Sequence, residues 1–153
     1  MISFLNASII TCVLTLFLIY EQQISIVGAQ TVSSVCFGCI CEAASGCNAT
    51  IGCDGSVCGP FRITWNYWAD AGKPTLDGQS DGDAYSRCVN DVECAARTVE
   101  GYMTKFSQDC NGDGTINCDD FLRIHRLGGY GCSGFLNAEY EDTYKRCMQA
   151  YGK

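Results

Sequence analysis

Residues 36–63 read CFGCICEAASGCNATIGCDGSVCGPFRI. Six cysteines fall between positions 36 and 58, opening with the spacing C-x2-C-x-C-x5-C. So dense a run reads as a tightly cross-linked module, and its meaning depends on the other cysteines. The chain has thirteen. Setting aside Cys12 leaves Cys36, Cys39, Cys41, Cys47, Cys53, Cys58, Cys88, Cys94, Cys110, Cys118, Cys132 and Cys147. An even dozen predicts six disulfides in an oxidising compartment. A zinc site finds little support, because His125 is the sole histidine and knuckle-spaced cysteine pairs do not recur.

Cys12 is set aside because it lies in an uncharged apolar run from Ala7 to Tyr20, followed by small residues at VGA. This has the length of a secretory signal and is short for a membrane span. Residues 1–29 are expected to be a signal peptide cleaved after Ala29, although no Lys or Arg precedes the run; the alternative is an uncleaved anchor. Residues 30–153 then form one small domain. Cleavage removes Glu21 alone among charged residues, so the net charge of −7 becomes −6. An acidic surface argues against nucleic acid and anionic membranes as partners. A secreted, extracellular monomer is the expectation.

Downstream, PFRITWNYW (60–68) is rich in β-branched and aromatic residues and predicts a short strand. Residues 71–83 form a Gly/Asp/Ser-rich loop. Val92, Ala95, Ala96, Val99, Tyr102, Met103 and Phe106 recur at three- and four-residue steps, one apolar face of a helix over 91–107. Asp119 is placed to cap a helix through DFLRIHRL, ended by the glycines at 128–129, and a last helix is expected over 137–149. The expected class is α+β, mainly α, with a small hairpin.

Residues 109–120, DCNGDGTINCDD, carry oxygen donors at each ligand position of a calcium loop. These are Asp109, Asn111, Asp113, Thr115 through its carbonyl, Asn117 through water, and Asp120, with Gly114 at the sharp turn. The two cysteines occupy non-ligand positions. Asp120 stands where Glu is usual, which weakens bidentate closure. The loop resembles those of bacterial dockerin modules. It is read either as a weak structural Ca2+ site or as an Asx-rich turn that caps the next helix.

The module at 36–63, with YWADAGKP (67–74), GYMTKF (101–106) and LRIHRLGGYGC (122–132), resembles the invertebrate-type (i-type) lysozymes of the destabilase family along essentially the whole chain after residue 30. The resemblance implies a disulfide-rich lysozyme-like fold. It also implies the pairs Cys41–Cys47, Cys53–Cys58, Cys88–Cys94, Cys36–Cys118, Cys39–Cys147 and Cys110–Cys132. A further family bridge would fall at Ala71 and Thr98, both non-cysteine here.

The implied reaction is hydrolysis of β-1,4 glycosidic bonds in bacterial cell-wall peptidoglycan, which needs a protonated carboxyl and a second, ionised one. The family's acid stands immediately before SGC, and that position is Ala44. Glu42, two residues earlier, should face elsewhere on a helix. The second carboxylate matches Asp54, which reads equally as an Asp-Gly turn residue. An isopeptidase pair would fall on Ser56 and Thr64, which lacks a base. Trp65, Tyr67 and Trp68 are candidates for sugar stacking or for core. Asn48-Ala49-Thr50 is a glycosylation sequon. Three functions follow: a weak or inactive lysozyme acting on cell-wall glycan, a non-catalytic glycan- or protein-binding module, and a calcium-stabilised structural protein.

Overall fold

The computed structural model describes residues 32–78 and 80–152. The expected signal segment 1–29 lies outside the described residues. Among the described residues, six helices and a three-stranded antiparallel sheet make up the unit that begins at Thr31.

Helix α1 (Ser34–Ser45) starts at Ser33, whose side chain accepts from the N–H of Cys36, and stops at Gly46 in the left-handed conformation. It buries Cys36, Cys39 and Ile40, which share one face by their spacing. Strands β1 (Cys53–Asp54) and β2 (Val57–Cys58) form a hairpin with a two-residue turn, Gly55–Ser56. Gly55 has φ 60°, as such turns demand. Strand β3 (Ile63–Thr64) pairs with β2, placing Val57 opposite Thr64.

The strand predicted over 60–68 shrinks to those two residues. Thr64 instead caps helix α2 (Trp65–Asp70), its hydroxyl accepting from the Tyr67 N–H at 3.2 Å. A local cap overrides the β preference of the aromatics that follow. Helix α3 (Ala84–Asn90) has no counterpart among the sequence expectations. Helix α4 (Val92–Phe106) carries the expected stripe, but Val92 is 49% exposed while Cys94 and Thr98 join the buried face. Helix α5 (Cys118–Leu127) begins at Asn117 rather than Asp119, in a capping box with Asp120. Helix α6 (Ala138–Tyr151) is capped by Asn137.

The core gathers Ile40, Ile63, Val89, Val99, Met103, Leu122 and Ile124. Six disulfides surround it. Cys36–Cys118 and Cys39–Cys147 tie α1 to α5 and to α6, against which α1 packs. Cys41–Cys47, Cys53–Cys58, Cys88–Cys94 and Cys110–Cys132 close shorter loops. Thr98, a hydroxyl where the family bridge would fall, lies 3.5 Å from Sγ of Cys88. Its buried hydroxyl turns back to the Cys94 carbonyl at 2.9 Å, satisfying itself within α4. Among the described residues, no helix is long and apolar enough to cross a membrane.

Candidate functional site

A cleft of about 370 Å3 opens between the end of α1, the sheet, α2 and the C-terminal turn of α5. Ala44 lines it from α1, Val57 and Thr64 from the sheet, Asn66, Tyr67 and Asp70 from α2. Phe61 and Arg62 come from the β2–β3 turn, Tyr102 from α4, His125 and Arg126 from α5, and Tyr140 from α6.

The sequence candidates divide around this cleft. Ala44 is on its wall. Glu42 does not line it; it borders two adjoining grooves against α6, one of which it shares with Ala44, Arg126 and Tyr140. Asp54 is not among the lining residues. Its carboxylate is 84% exposed and accepts from Nη2 of Arg62 at 3.2 Å. The only carboxylate lining the cleft among the described residues is Asp70, held by Lys105 at 2.7 Å. Ser56 lies in the exposed hairpin turn and Thr64 is committed to its cap. Trp68 and Tyr67 are buried, Trp68 donating to the Pro74 carbonyl at 2.8 Å. Trp65 remains 52% exposed, with the Lys73 ammonium 5.3 Å from its ring.

At the cleft floor, Nε2 of His125 is 2.8 Å from the Phe61 carbonyl oxygen and Nδ1 is 3.1 Å from the Tyr67 hydroxyl. A carbonyl only accepts, so Nε2 carries the hydrogen and Nδ1 receives the phenol's. Desolvation in this setting lowers the imidazole pKa from 6.5 to about 4. Burial likewise pushes the Tyr67 and Tyr140 phenols above their ordinary range. The Tyr67 ring stacks on Tyr102, centroids 3.7 Å apart.

Away from the cleft, the 109–120 loop is closed by its own hydrogen bonds. Asp109 accepts from the N–H groups of Gly112 and Gly114 at 2.7 and 2.8 Å. Asp113 accepts from Thr115 N–H and from the Asn111 amide. Asn117 accepts from Asp119 N–H. Asp120 is fully buried and accepts from the N–H groups of Cys110, Asn111 and Asn117. The oxygen-rich donor set suits a hard cation. The side chains, however, are turned onto backbone donors, and no three His, Cys, Asp or Glu side chains gather as a metal cluster among the described residues. Asn48 is exposed in the α1–β1 loop, its amide oxygen accepting from Thr50 at 3.0 and 2.9 Å.

Arg62, Arg126 and Tyr140 escape a reading of the sequence. They come from three distant segments and share no spacing or motif; only the folded chain brings them to one wall.

A cleft walled by helices on one side and a small sheet on the other, in a chain braced by disulfides, defines a lysozyme-like protein. The lysozyme of Meretrix lusoria, solved in complex with Aeromonas hydrophila PliI, superposes with a TM-score of 0.63 at 30% identity, covering 79% of this chain and 94% of that one. The lysozyme of Tapes japonica gives 0.57 at 32% identity, covering 79% and 92%. A Magallana gigas lysozyme is 41% identical over 108 residues, 67% of this chain and 70% of that protein. Invertebrate-type lysozyme 3 of Caenorhabditis elegans is 36% identical over 120 residues, 75% and 86% of the two chains. The destabilase family model matches residues 33–147, and the chain belongs to that family.

Proposed function

We propose that the protein is secreted and holds bacterial cell-wall glycan in its cleft while hydrolysing it weakly or not at all. The observation that carries this reading is Ala44 on the cleft wall at the position of the family's acid. Glycosidic cleavage requires a proton for the departing oxygen. The remaining lining groups are poor sources. Asp70 is tied to Lys105. The Nε2 hydrogen of His125 is committed to the Phe61 carbonyl, and its Nδ1 is already an acceptor. The Tyr67 and Tyr140 phenols hold their protons more tightly than usual. Asp54, at the solvent edge and paired with Arg62, stands at the family's second carboxylate and not at its acid.

Lysis of a bacterial suspension by the purified protein, beside Ala44→Glu, tests the reading. A restored general acid should raise the rate by about 10²–10⁴-fold. Wild-type clearing as fast as the variant's would overturn it.

Calcium in the 109–120 loop is a second proposal, supported by its donor set. Binding would require Asp120 to release backbone N–H groups. A glycan on Asn48 belongs to the same secreted reading; its site is open to solvent and does not line the cleft.

A further inference from the structure

Two buried hydrogen-bonding atoms of the cleft wall have no partner among the described residues: Nη1 of Arg62 and the hydroxyl of Tyr140. Unpaired buried donors are rare and unfavourable, and they call for an acceptor. Tyr140 is only 7% exposed. Arg62 is 21% exposed at its side chain, and Asp54 occupies its Nη2, which fixes the guanidinium and leaves Nη1 on the inner side. Arg126 shares the wall, its guanidinium carbon 5.3 Å from the Tyr140 ring centroid, and no ion pair of Arg126 is found among the described residues. Asp70 is already neutralised by Lys105. In a chain of net charge −7, this wall keeps two arginines and two unpaired buried donors; Asp54 engages Arg62 only at Nη2, and Arg126 shares an adjoining groove with Glu42 and Glu139 without an ion pair to either among the described residues. Ala44 lines the same cleft and leaves only a methyl group at the position of the family's carboxyl.

We propose that the cleft binds a carboxylate-bearing sugar, such as the uronic-acid unit of an acidic oligosaccharide. The ligand's carboxylate takes the space left by the short side chain at position 44. Arg62 and Tyr140 donate to it, and Arg126 adds charge. The inference rests on the cleft being a glycan-holding site and narrows it to acidic sugars. In it, Asp54 is a positioning residue for Arg62.

Calorimetric titration of the disulfide-bonded protein with trigalacturonate, tri-N-acetylchitotriose and acetate, at low salt, tests this. Trigalacturonate should bind at least tenfold more tightly than chitotriose and weaken as salt rises. Ala44→Glu should lower trigalacturonate affinity tenfold or more, by filling the space with a like charge. Tyr140→Phe, which preserves shape, should lower it several-fold and leave chitotriose unaffected. Equal affinity for the two trimers, or an Ala44→Glu variant that binds trigalacturonate unchanged, overturns the inference. Acetate binding as tightly as the trimer removes the sugar from it and overturns it too. If chitotriose alone binds, the acidic preference falls and the glycan-holding cleft stands; if neither trimer binds, both fall.

Discussion

Tyr67 donates its hydroxyl hydrogen to Nδ1 of His125 across 3.1 Å, and the direction is fixed by the opposite nitrogen, which donates to the Phe61 carbonyl. The pair joins α2 to α5 beneath the cleft and holds the imidazole neutral.

This arrangement makes stability depend on acid. With the folded pKa near 4 and the unfolded one near 6.5, the unfolded chain binds a proton first as pH falls. Stability should thus be constant above about pH 6.5, decline between 6.5 and 4, and level off in this respect below 4. The loss is up to about 3 kcal/mol. Urea melts across that range should show the slope in wild type, and His125→Gln, which can still donate and accept, should lack it.

Gly59 sits at φ 71°, and a Cβ there would fall inside the Val89 carbonyl. Gly55 has a similar φ of 60° with open space around it. Gly55→Ala should therefore cost about 1–2 kcal/mol from backbone conformation alone. Gly59→Ala adds a clash with main chain and should cost roughly 3 kcal/mol or more. Equal effects in thermal melts would show that α3 yields freely to the sheet.

Asp120 joins three backbone N–H groups from inside the protein. Asp120→Ala should destabilise by about 3 kcal/mol, since it strands the buried N–H of Cys110 and two half-buried ones. For the calcium proposal, millimolar Ca2+ should raise the melting temperature by a few degrees, and Asp109→Ala should abolish the rise. A wild-type protein indifferent to calcium would leave the loop as a cap alone.

Bridges differ in the chain they restrain. Removing Cys39–Cys147 by paired alanines, separation 108, leaves Cys36–Cys118 still spanning most of that chain, so it frees a loop of about 32 residues and should cost about 4 kcal/mol. Removing Cys88–Cys94, separation 6, should cost about 2 kcal/mol by the same entropy. Equal losses in urea unfolding would mean that packing around the sulfurs outweighs the chain entropy.

The long helix α4 is legible in the sequence because seven apolar residues repeat at helical steps, a signal that survives single exceptions such as the exposed Val92. The segment after Pro60 misleads because β-branched and aromatic residues dominate it, while one hydroxyl at Thr64 decides for helix. Likewise Asp119 and Asn117 are both competent caps, and only the reciprocal bond to Asp120 selects Asn117. Position 44 can be read from its place before Ser45-Gly46-Cys47. Its neighbours Arg62, Arg126 and Tyr140 cannot, since tertiary proximity leaves no trace in local spacing.

The bond between Cys39 and Cys147 also orders how the molecule is made. Cys36, Cys39 and Cys41 leave the ribosome early, whereas Cys147 follows Cys39 by 108 positions. At about 5–20 residues per second, Cys39 waits roughly 5–20 s for its mate, and Cys36, at a separation of 82, nearly as long. Meanwhile Cys41, Cys47, Cys53 and Cys58, which belong to one another in pairs, offer Cys36 and Cys39 wrong partners within easy reach. Efficient production should therefore depend on rapid thiol–disulfide shuffling after synthesis, and a reducing host cytoplasm should yield chains whose first helix is never fastened to the last.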